Sequence, residues 1–229
     1  MENNYKPDRP SALFKLWRIF FSIFFAPCMK KISGCKNLPR GRGFVIASNH
    51  LSIIDGLLLT VYLTKPLDRN IHYLISPTYY ANFFYRHLFE TAKDIKLEPK
   101  KEAKSTYAAL RYLEKGSIIG IFPEGIRSRD GKIQKGLPGV AHLALSARVA
   151  AVPVGLINTH KYIPWGKTLP RPARMEIHVG KPIGFEQYYQ EYDEAKNKED
   201  QAKIREIEEK TTRIIMKEIA RLSNQEYPY

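Results

Sequence analysis

The chain has 229 residues, 37 Lys+Arg against 23 Asp+Glu, and a formal net charge of +14. With 44% hydrophobic and 26% charged residues it can bury a sizeable core, which excludes wholesale disorder, collagen-like repeats and low complexity. Two cysteines, Cys28 and Cys35, exclude a disulfide-dense scaffold, and their spacing is not a zinc-ligand pattern. Reduced thiols match a cytosolic compartment.

A surplus of this size calls for an anionic partner: nucleic acid, an anionic membrane surface or a phosphorylated small molecule. Residues 1–48 carry nine Lys/Arg against two acids, and residues 49–189 carry twenty against eleven. Residues 190–229 carry eight against ten, so the C-terminal region adds nothing to the surplus.

Over residues 13–29, Leu13, Leu16, Trp17, Phe20, Phe21 and Phe24 recur at helical spacing, with Lys15, Arg18 and Ser22 on a narrow opposite stripe. The uncharged run within it, 19–29, is eleven residues long. A spanning helix needs roughly 20. The pattern predicts an amphipathic helix lying in the plane of a membrane, followed by Lys30, Lys31, Lys36, Arg40 and Arg42 for anionic headgroups. Lys15 and Arg18 interrupt the apolar core that a signal peptide would need. A helix packed in the soluble core is the competing reading. Residues 1–35 are therefore expected to be a membrane-associating segment at a cytoplasmic face, and 36–229 a single domain.

Strands are expected over 44–48, 71–76, 118–122, 150–156 and 175–179, each a short apolar run. Helices are expected over 55–63, 78–89, 100–115 and 138–148, with a one-faced C-terminal helix carrying Ile204, Ile207, Thr211, Ile214 and Leu222. The aromatics Tyr79, Tyr80, Phe83, Phe84 and Tyr85 are expected in the core. A Pro-rich stretch over 162–172 reads as a surface loop carrying Trp165. Alternating strands and helices predict an α/β fold with a mostly parallel central sheet flanked by helices.

Two segments stand apart, each directly after a predicted strand. The first runs Ser48, Asn49, His50, Leu51, Ser52, Ile53, Ile54, Asp55. On one continuous helix a five-residue offset turns about 140° around the axis, so His50 and Asp55 meet only if His50 sits in a turn and Asp55 begins the helix. His–carboxylate pairs supply general bases: the carboxylate fixes the tautomer and stabilises the imidazolium. The second segment runs from Gly120 through Phe122, Pro123, Glu124, Gly125, Ile126 and Arg127 to Ser128 and Arg129. Glycine lets backbone approach a ligand, and arginine grips phosphate with a forked pair of donors. Open α/β sheets place their ligands at such strand ends.

Together these segments, Asn-His-x4-Asp and Phe-Pro-Glu-Gly-x-Arg-Ser about seventy residues on, resemble the glycerolipid acyltransferase family, which includes the 1-acyl-glycerol-3-phosphate acyltransferases. The resemblance covers roughly residues 36–185. It implies transfer of a fatty acyl group from a thioester, on coenzyme A or acyl carrier protein, to the hydroxyl of a lysophospholipid. His50 matches the general base and Asp55 its orienting carboxylate. Glu124, Gly125 and Arg127 match the acceptor-binding block, with Asn49 beside the dyad. The implied reaction needs no metal or other cofactor, and the implied partners are membrane lipids and no nucleic acid. The family's common Thr is Ile126 here, and the arginine of its intervening block is replaced by Lys96, Lys100 and Lys101. The acceptor that the resemblance favours is 1-acyl-glycerol-3-phosphate, giving phosphatidic acid; the alternatives are an acyltransferase for glycerol 3-phosphate or another lysolipid, and then a non-catalytic lipid-binding protein of the same fold.

Overall fold

A computed structural model describes residues 8–98 and 102–229. In chain order the elements are α1 (Ala12–Phe25), β1 (Met29–Ser33), β2 (Phe44–Ser48), α2 (Asp55–Leu67), β3 (Ile71–Ile75) and α3 (Phe83–Ala92). They continue with β4 (Ile95–Lys96), α4 (Glu102–Glu114), β5 (Ile118–Ile121), α5 (Gly139–Ser146), β6 (Ala151–Ile157) and α6 (Thr159–Tyr162). The last three are β7 (Met175–Val179), α7 (Glu186–Asn197) and α8 (Gln201–Leu222). The strands form one sheet in the order β1-β7-β6-β2-β5-β3-β4. Every pairing is parallel except β6 with β7.

The expected α/β architecture is the observed one, and burial explains it. All five residues of β2 are buried, as a strand covered on both faces must be. Side chains alternate between the faces: Val45 and Ala47 join Val140, Leu143, Ile215 and Met216 of α5 and α8. Phe44 and Ile46 join Leu58, Leu59 and Leu63 of α2 and Phe25 of α1. Each fully buried side chain of this size contributes about 1.5–3 kcal/mol, so shifting β2 by one residue would exchange its two buried faces and is strongly resisted.

Three departures from the sequence reading have local causes. Residues 78–89 do not form one helix: a 3-10 turn over Pro77–Ala81 is followed by extended Asn82, and α3 begins at Phe83. Nor is that aromatic group core, since Phe83 is exposed and Tyr79 and Tyr80 are half-buried at the β4 edge of the sheet. The side chains of Phe84 and Tyr85 lie outside the described set. Strand β1 was not expected, because its sequence Met-Lys-Lys-Ile-Ser is polar and mostly exposed. It nevertheless closes one edge of the sheet against β7, with Ile32 beside Ile177.

Helix α1 forms where the helical periodicity predicts it. Ser11 caps it by accepting a hydrogen bond from the Phe14 N–H at 3.1 Å. Its orientation inverts the usual surface helix. Phe14 and Phe25 turn inward, while Leu13, Leu16, Ile19, Phe20, Ile23 and Phe24 are exposed. The polar stripe faces the protein: Lys15 reaches Asp68 at 3.3 Å, and the Tyr62 hydroxyl donates to the Ser22 carbonyl at 3.5 Å. No described helix is long and apolar enough to cross a membrane.

Candidate active site

Strands β2 and β5 are parallel neighbours, with Ala47 beside Ile121. The segments that leave them therefore emerge side by side at the carboxyl edge of the sheet. Helix α2 begins at Asp55, so His50 lies in the preceding turn. His50 Nδ1 is 2.9 Å from Asp55 Oδ2. The same oxygen accepts the backbone N–H of Leu51 at 2.6 Å and of Ser52 at 2.7 Å. An oxygen serving these donors acts as an acceptor toward the ring, so Nδ1 carries a proton, and in the neutral imidazole the lone pair is then on Nε2. Asp55 is fully buried, whereas the His50 side chain keeps 20% exposure. The dyad is thus held from inside and open on its outer nitrogen.

The imidazole lies flat on Phe122, ring centroids 4.0 Å apart and planes 14° from parallel. Phe122 stacks in turn on Tyr73 at 6.0 Å. Tyr73 pairs with Gly120 across β3 and β5, and a Cβ at Gly120 would fall 2.3 Å from the tyrosine ring. The glycine in mid-strand is thus space for an aromatic stack that supports the dyad. Phe122 was read from sequence only as part of a motif, and the direct ring contact had no sequence signal.

Glu124 and Asn49 turn away from the open side. Glu124 is buried; its Oε1 accepts the His50 backbone N–H and its Oε2 that of Gln134, both at 2.7 Å. Burial pushes the Glu124 carboxyl up to about 7, against these two bonds, which favour the charged form. Both oxygens are therefore engaged in holding two loops together. Asn49 is buried as well: its amide donates to the Leu156 carbonyl at 3.0 Å and accepts the Leu156 N–H at 2.8 Å. It fastens the turn to β6 and makes no described bond to the dyad.

Gly125 takes a left-handed φ of 72°, where a Cβ would also meet Leu137 Cδ1 at 2.8 Å. That turn projects Arg127, and the next residue, Ser128, donates its backbone N–H to the His50 carbonyl at 2.8 Å. Ile126 is 68% exposed, so the side chain replacing the family's threonine points to solvent. Lys96 sits at the end of β4, its Nζ 5.2 Å from the Tyr80 ring centroid. Lys100 and Lys101 lie outside the described residues. Two contributors escaped the sequence reading. Ser52 Oγ donates to the Ile163 carbonyl at 3.0 Å, tying the His50 turn to the 162–172 loop. Trp165 of that loop lies against Arg127. Among the described residues no cluster of metal-ligating side chains is present.

Comparisons with known proteins point to one family. The 1-acyl-sn-glycerol-3-phosphate acyltransferase of Bacillus subtilis is 26% identical over 155 residues, 67% of this chain and 73% of that protein. A chloroplastic 1-acyl-sn-glycerol-3-phosphate acyltransferase of Arabidopsis thaliana is 28% identical over 179 residues, 74% of this chain. The matched stretch spans only 47% of the Arabidopsis protein's length. The crystal structure of the 1-acyl-sn-glycerophosphate acyltransferase PlsC from Thermotoga maritima has the same fold. It superposes with a TM-score of 0.68 at 19% identity, covering 89% of this chain and 78% of that one. The Acyltransferase family model matches residues 30–157, which contain both motifs and all of β2, α2 and β5. The chain belongs to the Acyltransferase family.

Proposed function

We propose that the protein transfers a fatty acyl group from an acyl thioester to the free hydroxyl of 1-acyl-glycerol-3-phosphate, giving phosphatidate. The observation that carries this reading is the His50–Asp55 pair, 2.9 Å apart, with the carboxylate buried and the outer ring nitrogen accessible. Nε2 takes the proton of the acceptor hydroxyl as its oxygen attacks the thioester carbonyl. The carbon–sulfur bond then breaks, and the imidazolium returns the proton to the departing thiolate. The acceptor supplies the nucleophile, so no acyl-enzyme forms. Arg127, projecting beside the turn that holds His50, binds the acceptor phosphate. Acyl-CoA or acyl carrier protein delivers the acyl group, and the scheme calls for no further cofactor.

The reaction takes place at a membrane surface. The outward apolar face of α1 lies in the plane of the bilayer, and the basic residues that follow it meet anionic headgroups. The names of the relatives support the acceptor, and the exposed apolar helix supports the location.

A labelled acyl thioester offered with a panel of acceptors tests the proposal. Wild-type protein is expected to form phosphatidate and release one thiol per ester made. His50→Ala is expected to lower turnover about 10²–10⁴-fold while melting like the wild type. Wild-type turnover in the alanine variant would remove His50 from the mechanism, and transfer to another acceptor in preference would reassign the substrate.

A further inference from the structure

Arg127 and Arg129 share a single aromatic platform. Their guanidinium carbons lie 4.7 and 5.4 Å from the centroid of the Trp165 ring, so the two cations lie within about 10 Å of each other. Two like charges brought together this way repel unless an anion lies between them. Among the described residues neither arginine forms a salt bridge with a carboxylate. The Trp165 ring face, negative by its quadrupole, offsets part of their charge.

The platform is built into the loop. The Lys167 N–H donates to the Pro164 carbonyl at 3.0 Å, and Gly166 has a φ of 73°, the left-handed value required at the third position of a type II turn. Trp165 occupies the second position of that turn. The loop is held at its base by the Ser52 hydroxyl on the Ile163 carbonyl and by the Arg171 N–H on the Tyr162 carbonyl at 2.8 Å. Trp165 itself is 43% exposed, so its ring is no part of the core. Ser128, between the two arginines, donates its N–H to the His50 carbonyl. The pair therefore flanks the catalytic turn.

We propose that Trp165 is a positioning residue, which aligns Arg127 and Arg129 as one paired anion site selecting acceptors with a terminal phosphomonoester over those with a phosphodiester. A phosphomonoester carries about 1.5–2 negative charges at neutral pH and three terminal oxygens, enough for two guanidinium forks. A diester carries one charge and offers two such oxygens. The assignment rests on the acyl-transfer reading of the site, so its test includes a measurement that needs no acyl transfer.

In a Trp17→Phe protein, Trp165 is the sole indole and its emission reports on the platform. Glycerol 3-phosphate is expected to give a saturable emission change at about tenfold lower concentration than glycerophosphocholine. Arg127→Gln with Arg129→Gln is expected to abolish the response. An emission blind to glycerol 3-phosphate, or equally sensitive to both ligands, would overturn the proposal even if acyl transfer is confirmed. In transfer assays, Trp165→Leu is expected to raise the acceptor KM about tenfold with kcat nearly unchanged, and Trp165→Phe to restore most of the loss. A fall in kcat at constant KM would instead make Trp165 a structural residue. A protein that transfers to no acceptor yet shows the selective emission change would refute the acyl-transfer reading and leave the anion site standing.

Discussion

The side-chain amide of Asn49 bonds both backbone groups of Leu156, donating to its carbonyl and accepting from its N–H. The β2–β6 ladder ends at Ser48 and Val154, so Asn49 acts as one more peptide unit at the point where the main chain must turn away toward His50. Replacing it with alanine leaves a buried donor and a buried acceptor unpaired. Each such group costs about 1–3 kcal/mol. Urea denaturation of Asn49→Ala is expected to show a loss of at least about 2 kcal/mol. Acyl transfer should fall mainly in kcat, because the side chain faces β6 and not the acceptor. A denaturation midpoint equal to the wild type would mean that the turn holds without this clip.

Glu124 predicts a pH dependence of stability. Its carboxyl stands at about 7 in the folded protein against an ordinary 4.5, so the folded state holds this proton more tightly than the unfolded one. The contribution is fully present below about 4.5 and is lost as pH rises from there through 7, an amount of up to about 3 kcal/mol. Glu124→Gln is expected to flatten this slope. It also faces an amide NH2 toward a backbone N–H, which costs about 1–3 kcal/mol at every pH. Denaturation midpoints at pH 5 and pH 8 for both proteins check this; an unchanged slope in the glutamine variant would assign the titration to another group.

Helix α1 predicts a separation of membrane binding from folding. Leu16, Phe20 and Ile23 are exposed, whereas Phe14 and Phe25 are buried. Changing the first three to glutamine is expected to leave the melting temperature within a few degrees and to abolish sedimentation with anionic vesicles. Deleting residues 1–31 is expected to unfold the protein, since it removes Phe25 and part of β1. Undiminished vesicle binding by the triple variant would place the membrane contact elsewhere.

Most of the sheet was legible because its inner strands are buried on both faces and so read as apolar runs, as 44–48 and 118–122 do. Strand β1 was not, because an edge strand needs no apolar pattern, and β4 has only two residues. The His50–Asp55 pairing was readable because helix geometry allows one solution for that spacing. The jobs of Asn49 and Glu124 were not, since polar residues in a motif look the same whether they face a ligand or a backbone. Nor was the platform under Arg127 and Arg129, which joins residues more than thirty positions apart through ring geometry alone.

The anchors around His50 end almost entirely on main-chain atoms. Asp55 holds the N–H groups of Leu51 and Ser52, Glu124 those of His50 and Gln134, Asn49 the peptide of Leu156, and Ser52 the carbonyl of Ile163. Main-chain atoms are the same in every amino acid except for the missing N–H of proline. Side chains at the half-buried positions 134 and 163 can therefore be exchanged without moving His50, whereas Leu51 and Leu156 are also fixed by burial. The sequence around the pair is then free to vary at those two positions while the His50–Asp55 geometry stays fixed.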